Sequence, residues 1–184
     1  MNKRIIISML TVILFMTTFI TGCQKTLIEA ETPPPTPPKD EIVQKEITLY
    51  FSDDQAEYLI PEKRVIDLEA NAGDEKLITS IIEELIMGPS NEDLFLTIPE
   101  NTKVISVEIS DEIAIVDFSK EIKTEHWGGS TGENMTLTSL VNTVTELDKI
   151  KKVMILIEGE KQDSLAGHIS IEEPLERQEE MIKK

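Results

Sequence analysis

The sequence predicts an α+β fold, in which a small and mostly antiparallel sheet packs with two helices. Two observations lead to this prediction. Short segments in which apolar and polar residues alternate recur along residues 46–177, and two longer segments with helical periodicity lie between them. The predicted order of elements is β-(β)-α-β-β-α-β. Each half contains strand, helix and strand, but the halves share no repeated sequence.

The first half begins with residues 47–51, whose alternation predicts a strand, and residues 64–68 predict a second short extended piece. Residues 74–87 then change to helical spacing, with two acidic residues at the positive end of the helix dipole. Gly88-Pro89 predicts where this helix stops. Its apolar face consists of Leu77, Ile78, Ile81, Ile82, Leu85 and Ile86.

The second half begins with residues 104–109 and 113–118, which alternate and predict a hairpin. Glu112 occupies the connection, where a two-residue turn would favour glycine, so we expect a longer or irregular loop. The last predicted strand covers residues 153–157 and ends at Gly159.

A glycine-rich segment, residues 126–132, predicts a flexible loop before the second helix, which is expected from Glu133 to Asp148. Ser130 and Glu133 have the spacing of a capping box at the start of that helix. The inner face of the helix is expected to contain Leu137, Leu140, Val141, Val144 and Leu147.

Residues 1–22 predict a lipoprotein signal peptide. Two basic residues precede an uncharged apolar stretch, residues 5–20, which is short for a membrane span and so disfavours an uncleaved anchor helix. Ile-Thr-Gly-Cys at residues 20–23 resembles the lipobox of bacterial lipoproteins. The sequence therefore predicts cleavage before Cys23 and lipidation of its thiol, with the protein on the extracytoplasmic face of the cell membrane. The bias towards Lys, Ile and Glu favours a Gram-positive cell.

Charge limits the partners of the mature chain. The formal net charge is −17, and removal of the two basic residues of the signal peptide makes it more negative. Such a surface repels nucleic acid and anionic headgroups, so we expect no nucleic acid partner and contact with the membrane through the lipid alone. Cys23 is the only cysteine, so no intramolecular disulfide is possible.

Residues 23–45 are predicted to be a tether that follows the lipidated cysteine. Its proline-rich part, residues 32–38, favours polyproline II, and about 20 residues at about 3.1 Å each extend roughly 60 Å. A proline-rich ligand for a recognition domain is the alternative. We expect residues 46–177 to form one folded domain and residues 178–184 a charged tail.

A series of short motifs occurs in a fixed order between residues 47 and 177. They are Leu49-Tyr50-Phe51, Gly88-Pro89, Ile98-Pro99, Val116-Asp117-Phe118-Ser119, Glu133, Leu140-Val141-Asn142-Thr143, Ile155-Leu156-Ile157-Glu158-Gly159 and Pro174. In order and spacing this series resembles the GerMN domain family of sporulation and spore germination lipoproteins.

The resemblance implies a non-catalytic envelope module with an α+β fold similar to ring-building domains of secretion-like assemblies. It implies partners among envelope proteins, in complexes that serve sporulation or spore germination. The germination lipoprotein that names the family has tandem copies of the domain, whereas this chain carries one.

The residues themselves give little indication of catalysis. His126 and His168 are the only histidines, and a triad of Ser119, His168 and Asp117 would lack the sharp turn that exposes a nucleophilic serine. We therefore expect no catalytic residue and no enzyme activity.

Metal and cofactor sites are not expected either, because zinc motifs, cysteine pairs and calcium loops are absent from the sequence. Asp53-Asp54 and Asp111-Glu112 fit solvated turns better than cation ligands. The glycine-rich loop lacks the lysine of a phosphate-binding loop, and Glu133 places negative charge where an anion would bind.

The predicted second helix is unusual, because residues 134–145 are rich in Thr, Ser and Asn and poor in charge. Either these small side chains pack closely on the sheet, or they form a partner surface from which charge is depleted. The second possibility assigns the surface to Trp127, Thr138, Asn142 and Thr145. Trp127 is either an exposed anchor or a core residue.

Two functions remain open. The first is a lipid-anchored interaction domain that helps an envelope complex to assemble or to remain stable. The second is a lipoprotein that binds peptidoglycan fragments or cations, which requires a concave pocket with convergent polar groups.

Overall fold

The computed structural model describes residues 41–184, so the predicted signal peptide, Cys23 and most of the tether lie outside the described residues. Between residues 41 and 184, no helix combines the length and apolarity that a membrane span requires. The elements are β1 (Ile42–Ser52), β2 (Leu59–Glu69), α1 (Asp74–Met87), β3 (Val104–Ser110), β4 (Ile113–Phe118), α2 (Glu121–Thr124), α3 (Gly129–Val144), β5 (Lys152–Ile157), β6 (Glu160–Lys161), β7 (Leu175–Glu176) and a 3-10 turn (Glu179–Met181).

The α+β class is confirmed, but the strands of the described residues form two sheets. β1 and β2 pair antiparallel along their whole length as a separate hairpin, while β3, β4, β5 and β6 form the second sheet, with β7 also paired to β5. β4 and β5 are parallel. The reason is the long connection through α3, which returns the chain in the direction in which β4 runs.

The hairpin is longer than predicted at both strands. β1 begins at Ile42, so residues 42–45 of the predicted tether belong to the sheet. β2 includes Pro61, which lies opposite Tyr50. The N–H and C=O groups of Tyr50 are bound to α3, so the missing N–H of Pro61 costs no ladder hydrogen bond at this pair.

Helix α1 is confirmed at both ends, and its six predicted apolar residues are all buried. Gly88 ends it with φ 91°, a conformation that favours glycine, and a Cβ atom at this position would lie 2.5 Å from the Leu96 side chain. The predicted hairpin of β3 and β4 is confirmed, but its loop is only Asp111-Glu112. Asp111 adopts φ 55° and so replaces the glycine that we expected a two-residue turn to need.

The hydrophobic core lies between the two helices α1 and α3 and the two sheets. α1 contacts β1, β3 and α3, and α3 contacts β1, β5 and β7. The largest fully buried side chains are Phe51, Phe118, Leu49, Leu59, Ile78, Ile82, Leu85, Ile98, Ile122, Leu140, Ile150 and Ile155.

A partly buried ion cluster joins β2 to the end of α1. The Arg64 guanidinium donates to Glu62 Oε1 over 2.5 Å and to Glu84 Oε2 over 2.8 Å. Glu62 also accepts from the backbone N–H groups of Ser90 and Asn91. Burial alone would raise the pKa of Glu62, but these donors outweigh it and hold the pKa below the usual 4.5.

The ionised form of Glu62 should therefore stabilise the domain above pH 4.5, and this contribution should vanish as the pH falls through the lower pKa of the folded state. We expect Glu62→Gln to cost about 1–2 kcal/mol at neutral pH and much less in acid. Urea unfolding of both proteins at neutral and acidic pH measures the difference. Glu83→Gln, which changes an exposed carboxylate of α1, is the control, and an equal loss for Glu62→Gln at both pH values would contradict the assignment.

Candidate partner-binding surface

Helix α3 lies in the interior, and this decides between the two possibilities for its polar residues. Thr138 is 1% exposed and Asn142 is fully buried, so neither can contribute to a surface of the folded domain. Their assignment to a partner surface was therefore wrong. Of the two possibilities, the structure has close packing, in which small polar side chains let the helix approach the hairpin closely. Thr145 is partly exposed, and Trp127 is 46% exposed.

Two hydroxyl groups of α3 bind the backbone of β1. Ser139 Oγ donates to the carbonyl oxygen of Tyr50 over 2.6 Å, and Thr143 Oγ1 accepts from the Tyr50 N–H over 3.1 Å. All of these groups are buried, where an unpaired backbone group is costly. The helix thus takes the place of a neighbouring strand at Tyr50.

A chain of polar contacts continues towards the start of α3. Thr136 Oγ1 lies 2.5 Å from the Thr97 carbonyl oxygen and 3.1 Å from His126 Nε2. Since the hydroxyl has one proton and donates it to Thr97, Nε2 must be the donor in the second contact. Burial lowers the pKa of His126, although the charge of Glu133 acts in the opposite direction, so the ring is neutral at pH 7.

Glu133 does not form the predicted capping box. The helix begins four residues earlier than expected, at Gly129, and no side chain caps it. Glu133 is fully buried, and its two carboxylate oxygens accept from the backbone N–H groups of Ala166 over 2.8 Å and His168 over 3.0 Å. It therefore attaches the loop between β6 and β7 to the helix.

Asn142 attaches a second segment, near the other end of α3. Its Oδ1 accepts from the Gln178 N–H over 2.9 Å and its Nδ2 donates to the Gln178 carbonyl oxygen over 3.0 Å. Next to it, the Arg177 guanidinium donates to Glu146 Oε1 over 2.6 Å and to the Tyr50 hydroxyl oxygen over 2.9 Å.

The predicted charged tail is consequently part of the folded structure. Met181 and Ile182 pack against a small buried cluster of Tyr50, Leu59 and Met135. Ile182 also forms a parallel bridge with Leu59, and the N–H of the next residue donates to the Leu59 carbonyl oxygen over 2.9 Å. The segment was predicted to be a tail because most of its residues are charged, although its two apolar residues attach it to the domain.

Trp127 is placed outside the core, beside the start of α3. A Cβ atom at Gly132 would collide with the Trp127 carbonyl oxygen, so glycine permits the first turn of the helix to pass close to this loop. The His126 and Trp127 rings stack, with centroids 6.0 Å apart. The indole borders a cavity of about 190 Å³, together with Phe95, Thr136 and Met135.

The residues considered for catalysis are used elsewhere. Asp117 Oδ1 accepts from the Gly159 N–H, Ser119 Oγ accepts from the Lys103 N–H, and the backbone of His168 is bound to a glutamate. No hydrogen bond joins Asp117, Ser119 and His168 in the described part of the chain.

Acidic residues of the turns also have structural roles. Asp53 Oδ1 accepts from the N–H groups of Glu57 and Tyr58 and so closes the turn between β1 and β2. Residues 41–184 contain no group of three or more His, Cys, Asp or Glu side chains placed to hold a metal ion.

Sequence reasoning missed Phe95 as a neighbour of Trp127. Phe95 is 50% exposed, and it is held by backbone hydrogen bonds in both directions with Ser52. The sequence contains one indication that Phe95 is exposed. It comes soon after the polar and acidic residues 90–93 and does not belong to a periodic apolar segment.

Comparisons with a family model and with solved structures agree with the family resemblance of the sequence. The model of the family Germane, described as sporulation and spore germination, matches residues 48–163. A candidate lipoprotein from Clostridium perfringens of known structure is 33% identical, with 72% of this chain and 87% of that chain covered and a TM-score of 0.53. No curated protein matches the chain.

Two structures of the sporulation protein GerM from Bacillus subtilis share the fold. Its tandem GerMN domains are 24% identical, with 83% of this chain and 51% of that chain covered and a TM-score of 0.59. Its first GerMN domain is 21% identical, with 74% and 98% covered and a TM-score of 0.52. The chain therefore spans about half of the tandem structure.

The hydroxyl contacts of α3 can be tested by replacing threonine with valine at two positions, each in a separate variant. Thr143→Val leaves the buried N–H of Tyr50 without a partner and should cost about 1–3 kcal/mol. Thr138→Val is the matched control, because the Thr138 hydroxyl is buried without a partner and its loss should be neutral or stabilising. Thermal and urea unfolding measure both, and equal effects of the two substitutions would refute the role of Thr143.

Proposed function

This chain belongs to the Germane family, sporulation and spore germination, and from that premise we propose that it is a membrane-anchored, non-catalytic interaction module. It would help an envelope complex to assemble or to remain stable during sporulation or spore germination. The observation that carries the proposal is the half-exposed indole of Trp127, in a domain whose buried polar groups are largely used for internal contacts. Exposed aromatic side chains commonly anchor protein partners.

The anchor itself is proposed from the sequence and one comparison. The lipobox at residues 20–23 would give Cys23 a diacylglycerol group on the outer face of the cell membrane. The related structure from Clostridium perfringens is described as a candidate lipoprotein, which supports the same location for this chain.

A small-molecule receptor is less well supported. The cavity beside Trp127 measures about 190 Å³, whereas drug-sized ligands occupy pockets of about 300–1,000 Å³. The concavity next to it is larger, about 470 Å³, but four carboxylates border it, and three of them belong to exposed residues. A partner protein that covers the indole fits this geometry better than an enclosed ligand.

The partner role predicts that the domain surface contacts envelope proteins in cells. A photo-crosslinking amino acid placed at Trp127, Met87 or Ile105, which are exposed apolar positions on a loop, a helix and a strand, should capture a membrane or envelope protein from at least one site. The full-length anchored protein is used, with unirradiated cells as the control. If none of the three positions gives an adduct in sporulating, germinating or growing cells, the proposal fails.

The proposed lipid anchor depends on the sulfur atom of Cys23. Cys23→Ser removes the thiol that accepts the lipid, so most of the protein should move from the membrane fraction to the soluble fraction. The folded domain should keep its melting temperature, because the described domain begins well after residue 23. Fractionation and mass spectrometry of the mature N-terminus measure this. Unchanged membrane association of the variant would contradict a lipid anchor.

A further inference from the structure

The exposed aromatic side chains of the domain are gathered at one end of the β1–β2 hairpin. Of the six Phe, Tyr and Trp residues between 41 and 184, three are buried, and the exposed ones are Tyr58, Phe95 and Trp127. Phe95 pairs with Ser52 at the end of β1, and the Tyr58 carbonyl oxygen accepts from the Asp53 N–H over 3.0 Å. Trp127 and Phe95 line the same cavity.

Two adjoining concavities share Phe95, Asp53 and Asp54 in their linings, and together we call them the Phe95–Trp127 groove. The more apolar side, of about 190 Å³, is bordered by Trp127, Met135 and Leu96 as well as by the two shared aspartates. The other side measures about 470 Å³ and is acidic. The carboxylates that border it are Asp53, Asp54, Glu92 and Asp93.

The charge of the acidic side is not balanced locally. Among residues 41–184, one ammonium group borders it, Lys183 Nζ, which lies 3.8 Å from Asp53 Oδ2. Asp54, Glu92 and Asp93 are exposed. The formal charge of the chain as a whole is also strongly negative, at −17. The groove therefore attracts cationic groups and repels phosphate headgroups.

The groove is preformed rather than dependent on a flexible loop. The turn between β1 and β2 is closed by the Asp53 carboxylate and holds Ala56 at φ 53°, a strained conformation for this residue. Trp127 is held by its close approach to Gly132 and by stacking on His126. A rigid site lowers the entropic cost of binding.

We propose that the Phe95–Trp127 groove binds an extended polypeptide segment in which a large apolar residue is flanked by lysine or arginine. The apolar side chain contacts Trp127 and Phe95, and the cationic groups lie against Asp54, Glu92 and Asp93. An arginine can also stack on the indole. The proposal rests on the proposed function, because such a segment belongs to a partner protein of the envelope.

A saccharide is the main competing ligand, since sugars also stack on indole rings. A neutral sugar, however, is not attracted by the negative charge of the groove. A basic segment with an apolar residue can contact both the apolar and the acidic side. The test distinguishes the two.

Trp127 is the only tryptophan in the chain, so its fluorescence reports directly on the groove. The probe is a synthetic peptide with one central leucine flanked by lysine and arginine, added to the lipidated full-length protein in neutral detergent. Saturable change of the Trp127 emission is expected, weakened by salt. The same peptide with glutamate in place of each basic residue should give no change.

The charge requirement is tested by Asp54→Lys combined with Asp93→Lys, which should weaken peptide binding by about tenfold or more. The matched control is Asp67→Lys combined with Glu83→Lys. Asp67 and Glu83 are exposed and border a different groove, near Met87. The control therefore changes the net charge of the protein by the same amount as the test variant but leaves the proposed site unaltered. Affinity in the control should change less than about threefold.

Four results would overturn the proposal: no saturable change, equal binding of the acidic peptide, equal loss in both double variants, or a muropeptide that binds where the basic peptide does not. Failure here is distinguishable from failure of the proposed function. Crosslinks from Met87 or Ile105 without peptide binding would leave the interaction module intact and remove only the groove as its basic-segment site.

Discussion

Two hydroxyl groups of α3 bind the one backbone edge of β1 that β2 leaves unpaired. A two-stranded hairpin has two open edges, and burying one of them requires partners for its N–H and C=O groups. Ser139 and Thr143 supply those partners at Tyr50. The same helix buries Leu140 and Val144 in the core. Hydrogen bonding and apolar packing therefore select the same position of the helix against the hairpin.

The position of α3 also determines what reaches the surface. Glu133 and Asn142 bind the backbones of the loop after β6 and of the C-terminal segment, so one helix holds three separate parts of the chain. Of its six buried polar side chains, all but Thr138 bind other parts of the chain. The exterior that remains is acidic, with exposed aromatic side chains around Phe95 and Trp127. This surface is the basis of the proposed partner role.

Local patterns in the sequence were sufficient for the elements with one clear apolar face. α1 was predicted completely, because six apolar residues at helical spacing lie between an acidic start and the stop at Gly88. The alternation of β3, β4 and β5 was equally clear. The family was recognisable because its motifs lie at these same elements and at the turns between them, where the local sequence has to satisfy the local backbone.

The sequence by itself thus determined the α+β class, α1 and the exposed charge, whereas the tertiary structure decided the role of α3 and the location of the groove. Glu133 has the local spacing of a cap, but its carboxylate binds the backbone of Ala166, which is 33 residues away. Asn142 reaches Gln178 across 36 residues, and Phe95 approaches Trp127 only through the fold. Hydrogen bonds and contacts between distant residues leave no periodic pattern in a single sequence, since each needs only one residue at each end.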